Sequence, residues 1–286
     1  MDTNIFGGLE DLGIGGLSGA NLFGNEKPSN NSGSEGAAPP QKTPEEIEEE
    51  MLLDKSYECP ICSNAFKTRA IRTGKARLIG SDPDLRSKFE GIEPLKYDVI
   101  SCTKCGFTAL TRFFKPVTPM QRKNILEKIS ATYKGDTEYH RIFTYEQAIA
   151  RYKLALANAV VKMAKASEKA YICLRAGWLC RSMGEYIEAN TPNDKEKLEQ
   201  AKALENEFLK NAYDGFCAAR QSESFPMCGM DESTVDYLIA CLAERFGHYD
   251  VCSKMIASLL ASPSVGPRMK DKVRDLKEDV KLKMKQ

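Results

Sequence analysis

The sequence predicts a mainly α chain with a small β zinc ribbon, and three observations carry that prediction. Cys59-Pro60-Ile61-Cys62 and Cys102-Thr103-Lys104-Cys105 form two Cys-x-x-Cys pairs separated by residues 63–101. Short segments of β type lie beside these pairs. From Pro119 onward almost every segment has helical period. The 286 residues suit about two domains at ~100–200 residues each. The expected order is a disordered tail over 1–43, a zinc-ribbon-like domain over 44–117 and a helical domain over 118–286.

The tail is rich in Gly, Asn, Ser and Pro, a composition that does not pack. Its run Ile5-Phe6-Gly7-Gly8-Leu9-Glu10-Asp11-Leu12-Gly13-Ile14 holds apolar residues that a pure spacer does not need, so it reads either as tail or as a short docking motif. Charge divides the chain in the same way. Residues 1–58 hold 12 acidic and 3 basic residues, whereas 59–117 hold 11 basic and 5 acidic ones. The remainder is near neutral, with 27 basic against 23 acidic residues.

Thr43-Pro44-Glu45-Glu46 has a capping residue, a proline suited to the first turn and carboxylates suited to the positive end of a helix dipole. A short helix is expected there, leading to Tyr57. Strands are expected over 65–71 and 97–101, pairing as the ribbon hairpin. Residues 74–94, with Gly80, Pro83, Gly91 and Pro94, read as a long irregular excursion with one helical turn near Leu85–Phe89. Helices are expected over 119–133, 142–165, 168–190, 194–221, 232–246, 249–261 and 265–285.

The two residues between paired thiols let a tight turn aim both sulfurs at one point. Two such turns supply four thiolates for a tetrahedral Zn²⁺. The competing chemistries are a redox disulfide and an iron–sulfur cluster, and neither pair opens a helix after a strand as a redox pair does. Cys59, Cys62, Cys102 and Cys105 are therefore the expected ligands of a structural zinc, with no position left for water or substrate. Lys67, Arg69 and Lys104 are placed to offset the charge of four thiolates. The remaining cysteines, Cys173, Cys180, Cys217, Cys228, Cys241 and Cys252, lack paired spacing. Cys173, Cys180 and Cys252 read as small buried hydrophobes.

In the helical part three places match tetratricopeptide spacing: Tyr145, Ala148, Tyr152 and Ala155; Gly177, Gly184, Tyr186 and Ala189; and Ala240, Gly247, Tyr249, Cys252, Ile256 and Leu259. The second set is expected to span a helix, its turn and the next helix. The matches are not evenly spaced, so the array reads as degenerate helical hairpins. Stacked hairpins leave a concave face that commonly takes a protein partner.

The quoted residues also carry a resemblance. Cys59-Pro60-x-Cys62 is followed by Arg77-Leu78-Ile79-Gly80-Ser81-Asp82-x-Asp84-Leu85-Arg86 and Phe89-Glu90-Gly91-Ile92-x-Pro94. Tyr97-Asp98-Val99-Ile100 and Cys102-x-x-Cys105-Gly106-Phe107 complete the run. From about Tyr57 to the C-terminus it resembles an uncharacterised bacterial family, domain of unknown function 2225. The resemblance implies a cytoplasmic bacterial protein with a zinc ribbon, and it implies no activity.

The chain has no nucleophile elbow, no phosphate loop and no histidine-based metal motif. Its two histidines, His140 and His248, fall in turns and are expected to face solvent. No stretch reaches the ~20 apolar residues of a membrane helix; the run Leu154–Ala164 is broken by Asn158 and Lys162. With no export signal, free thiols in a cytoplasm are expected. The expectation is thus a non-enzymatic interaction protein whose helical face binds a protein. Two alternatives use the segment 72–98. Arg72, Lys75, Arg77 and Arg86 are the contacts for a nucleic acid or a small anion, and Asp82, Asp84, Tyr97 and Asp98 organise the loop.

Overall fold

In a computed structural model the described residues are 42–135 and 139–285. The expected tail motif at Ile5–Ile14 lies outside them. Thr43 caps α1 (Pro44–Glu50) through a reciprocal box with Glu46. Strand β1 (Leu52–Glu58) follows directly and pairs antiparallel with β2 (Ala65–Ile71), from Leu52↔Ile71 to Glu58↔Ala65. The expected pairing of 65–71 with 97–101 is therefore replaced. β1 is hard to read because most of its residues are exposed and polar.

The excursion 74–94 contains a second hairpin, β3 (Arg77–Ser81) with β4 (Ser87–Glu90), where one helical turn was expected. Strand 97–101 starts only at Val99. Pro94–Tyr97 form a 3₁₀ turn, capped by the Glu93 carboxylate accepting from the Leu95 N–H at 3.0 Å. β5 (Val99–Ser101) then pairs with β6 (Thr108–Leu110) in a third hairpin.

The rest is helical: α2 (Pro119–Ile125), α3 (Tyr145–Val161), α4 (Ala166–Asn190), α5 (Lys195–Ser222), α6 (Glu232–Arg245), α7 (Tyr249–Ala261) and α8 (Pro267–Lys283). The expected helix 119–133 ends earlier, because Leu126–Ser130 form a π turn. α4 runs unbroken through Gly177, Gly184 and Ala189, so that matched set is one helix, without the turn expected of it. Ala240, Gly247 and Tyr249–Leu259 do form a helix–turn–helix, α6 and α7, with Gly247 at φ 74°.

α4 and α5 approach closely because Gly177 meets Leu209: a Cβ on Gly177 would lie 2.6 Å from the Leu209 side chain. The main core joins α3–α8 to Leu95, Val99 and Leu110 of the hairpin region. Cys173, Cys180 and Cys252 are buried in it. His248 is half-buried and stacks on Tyr213 at 5.2 Å, and half-buried His140 packs on Phe143 at 5.8 Å; neither simply faces solvent. Lys42–Gln286 form one compact unit.

Candidate metal centre and the docked acidic loop

Each cysteine pair sits at the tip of its own hairpin, and the two tips have the same backbone. Cys59 N–H donates to Asn64 C=O at 3.0 Å and Cys102 N–H to Phe107 C=O at 2.9 Å. Ser63 N–H donates to Cys59 C=O and Gly106 N–H to Cys102 C=O, at 2.9 and 3.1 Å. After the second cysteine the chain turns left-handed, at Ser63 (φ 56°) and Gly106 (φ 72°). Gly106 is required twice over, since a Cβ there would lie 2.6 Å from the Tyr133 ring.

The two tips face each other. Cys59 and Cys105 Sγ are 3.5 Å apart, and Cys62 and Cys102 Sγ are 3.7 Å apart. All four sulfurs lie within 4.8 Å of one another. A tetrahedron with metal–sulfur bonds of about 2.3 Å needs S···S separations of roughly 3.8 Å. The four thiols thus have the geometry of a metal site. A hydrogen bond from Cys105 pushes the Cys59 thiol down to about 5, while the same bond and burial push Cys105 up.

Helices hold the tips in place. The Arg122 guanidinium donates to Ile61 C=O at 2.8 Å, the Ser130 hydroxyl to Cys105 C=O at 2.8 Å and the Asn158 amide to Gly106 C=O at 3.0 Å. Ile61, Phe107 and Ile125 pack beneath the sulfurs. Of the three expected charge partners, Lys67 and Lys104 are exposed. Arg69 is not at the tip: it pairs with Asp54 at 3.2 Å, four rungs from the closing Glu58–Ala65 pair, and donates to Arg141 C=O.

The 72–98 residues separate into different settings. Arg72 donates to Leu52 C=O at 2.7 Å, Lys75 is exposed, and Arg77 pairs with Glu90 at 3.3 Å across β3–β4. Arg86 does not join them. It is 1% exposed and its guanidinium donates to Asp82 at 2.6 Å, to the Ser182 hydroxyl at 2.7 Å and to Glu185. Its donors are engaged inside the protein, so it is not available as an anion or nucleic-acid contact.

Asp82 and Asp84 both bond to α4. Arg181 takes Asp84 in a two-point pair at 3.0 and 2.7 Å, reaches Asp82 at 3.0 Å and Glu205 of α5 at 2.8 Å. Trp178 Nε1–H donates to Asp84 at 3.0 Å, and the Tyr237 hydroxyl of α6 donates to Pro83 C=O at 2.8 Å. Burial alone would raise the Asp82 carboxyl, but hydrogen bonds from Lys88, Arg86 and Arg181 outweigh it and hold it low. Leu85 closes the loop in the left-handed region at φ 71°. Tyr97 donates its hydroxyl to Glu48 at 2.6 Å, and Asp98 pairs with Arg175 at 2.6 Å.

Sequence reasoning missed Arg181, Ser182 and Glu185, whose partners lie roughly a hundred residues away along the chain. It registered Asn158 and Lys162 only as breaks in an apolar run, and both are buried and bonded: Asn158 to the second knuckle, Lys162 to Glu168 at 2.6 Å.

A four-cysteine cluster with metal-binding geometry, built onto a helical body, is the class this fold and site define. The chain belongs to the family described as "Uncharacterized protein conserved in bacteria" (DUF2225), whose model matches residues 52–280. An uncharacterized protein of Borreliella burgdorferi is 29% identical over 117 residues, covering 36% of this chain and 42% of the relative. The match therefore spans less than half of that relative's length. No solved structure matches. No helix among the described residues is long and apolar enough to cross a membrane.

Proposed function

We propose that the four cysteines hold a structural Zn²⁺ and that the protein works in the cytoplasm as a non-enzymatic interaction protein. Four thiolates suit zinc and leave no coordination position for a substrate. Two hairpins of this size bury too little to stand alone, so metal binding supplies folding free energy. Ten cysteines, all free, suit a reducing compartment.

The observation that carries the interaction reading is a cleft of about 570 Å³ between the docked loop, α6 and α8. Pro83, Leu242, Leu276 and Leu282 give it apolar walls, and Arg245, Asp279 and Lys283 give it charges of both signs. Such a surface fits a partner segment of mixed character. A photo-crosslinker at Leu282, 61% exposed, should capture one partner in a bacterial lysate, and Arg245→Glu should abolish the capture. Equal capture from a crosslinker at exposed Glu196, on α5, would refute the cleft as the site.

A small-ligand reading also has an observation behind it. A cavity of about 300 Å³ lies between the β4 region, α4 and α6, lined by Phe89, Leu95, Tyr171, Arg175 and Trp178. A metabolite screen by thermal shift tests it, and a hit whose stabilisation persists in Arg175→Ala would place the ligand elsewhere.

A further inference from the structure

A second surface is used by neither the cysteine cluster nor the docked loop. A groove of about 320 Å³ is lined by Lys115–Val117 ahead of α2, by the Lys162–Lys165 turn between α3 and α4, and by residues of the segment after α5. Its two carboxylates are engaged within the wall. Glu168 pairs with buried Lys162, and Glu223 accepts from the Ser167 N–H at 3.0 Å and from its hydroxyl. Lys115 and Lys165 are exposed and form no ion pair among the described residues. The exposed charges of the groove lining are therefore cationic.

It is also apolar. Met163 in the groove wall is 78% exposed and sits at φ 55°, on the turn that ends α3. Pro116 and Val117 add apolar lining on the facing wall. Exposed methionines beside a groove are a feature of adaptable docking surfaces.

We propose that this groove docks an acidic amphipathic helix of a partner protein, its apolar side chains against Met163, Pro116 and Val117 and its carboxylates against Lys115 and Lys165. Charge complementarity selects the sign of the partner, and walls on three sides favour a helix in a groove over a flat lipid surface. The groove also depends on the cysteine cluster. Phe113 and Val117 line it and pack against the core beneath the sulfurs, so loss of the metal would remove one wall.

The test uses the full, metal-loaded chain and a fluorescent Leu/Ala/Glu peptide of about five helical turns with one apolar stripe. The comparison probes are the same peptide with Lys for every Glu and vesicles of anionic phosphatidylglycerol. The acidic peptide should bind at least roughly tenfold more tightly than the basic one. Met163→Asp, and separately Lys115→Glu with Lys165→Glu, should each weaken it by a similar factor, while Arg268→Glu on α8 should leave it unchanged. These substitutions fall on exposed side chains, and a thermal melt confirms folding; the lysine pair tests the site independently of Met163. The proposal is overturned by absent binding, by equal affinity for both peptides, by insensitivity to both groove variants, or by preference for the vesicles.

Discussion

Gly106 shows how one residue type can be required by backbone and neighbours at once. Its positive φ and the Tyr133 ring both exclude a side chain. Gly106→Ala is expected to cost about 2 kcal/mol and to weaken metal retention, measured by denaturant melts with a metal indicator present. Gly177 has no unusual backbone; the Leu209 side chain lies against it, with the Glu205 carbonyl at ordinary contact, so Gly177→Val should cost about 2 kcal/mol without touching metal retention. Asp82 gives a pH signature. Its carboxyl is held below its unfolded value, so its stabilisation is fully present above the unfolded pKa of about 3.9 and is lost as pH falls through the folded value. Glu93 and Asp98, both raised by burial, act with the opposite sign: their contribution is lost as pH rises above the unfolded carboxyl range. Asp82→Asn should therefore flatten the acid limb of a stability–pH curve, and an unchanged limb would remove Asp82 from the account.

At the scale of elements, α4 is the hub. It carries Arg175, Trp178, Arg181, Ser182 and Glu185, which between them hold Asp98, Asp84, Asp82 and Arg86. Arg181→Ala would leave half-buried Asp84 without its cation and buried Glu205 with Arg245 alone. A loss of about 3 kcal/mol is expected, with faster hydrogen exchange in 81–90 than in α6–α7. Long, strongly periodic elements were legible in the sequence: the boundaries of α5, α6 and α7 fall within one residue of expectation, because apolar period and the glycine and proline breaks around them agree there. The four cysteines were legible for a different reason, since metal-ligand spacing is local. The three hairpins were not. β3 is exposed along its whole length and β1 along most of it, so neither carries the alternation that marks a half-buried strand. The role of Arg86 was invisible for a third reason: its partners Ser182 and Glu185 come from a helix nearly a hundred residues on, and no window around residue 86 contains them.

Across the whole molecule, the cysteine cluster ties the hairpins to the helices. Arg122, Ser130 and Asn158 each grip a knuckle from a helical segment, and Phe113 and Val117 carry the same core to the groove beside α2. Chelation should therefore loosen more than the two tips. Hydrogen exchange should rise through β1–β2, β5–β6 and α2 while α5–α7 stay protected, and protection lost uniformly would show that the metal holds the entire body. The central claim, zinc on four thiolates, is tested most directly by X-ray absorption at the zinc edge on protein purified without added metal. The account predicts one zinc per chain in a shell of four sulfurs at about 2.3 Å. A shell containing nitrogen or oxygen, or purified folded protein with no zinc, would contradict it.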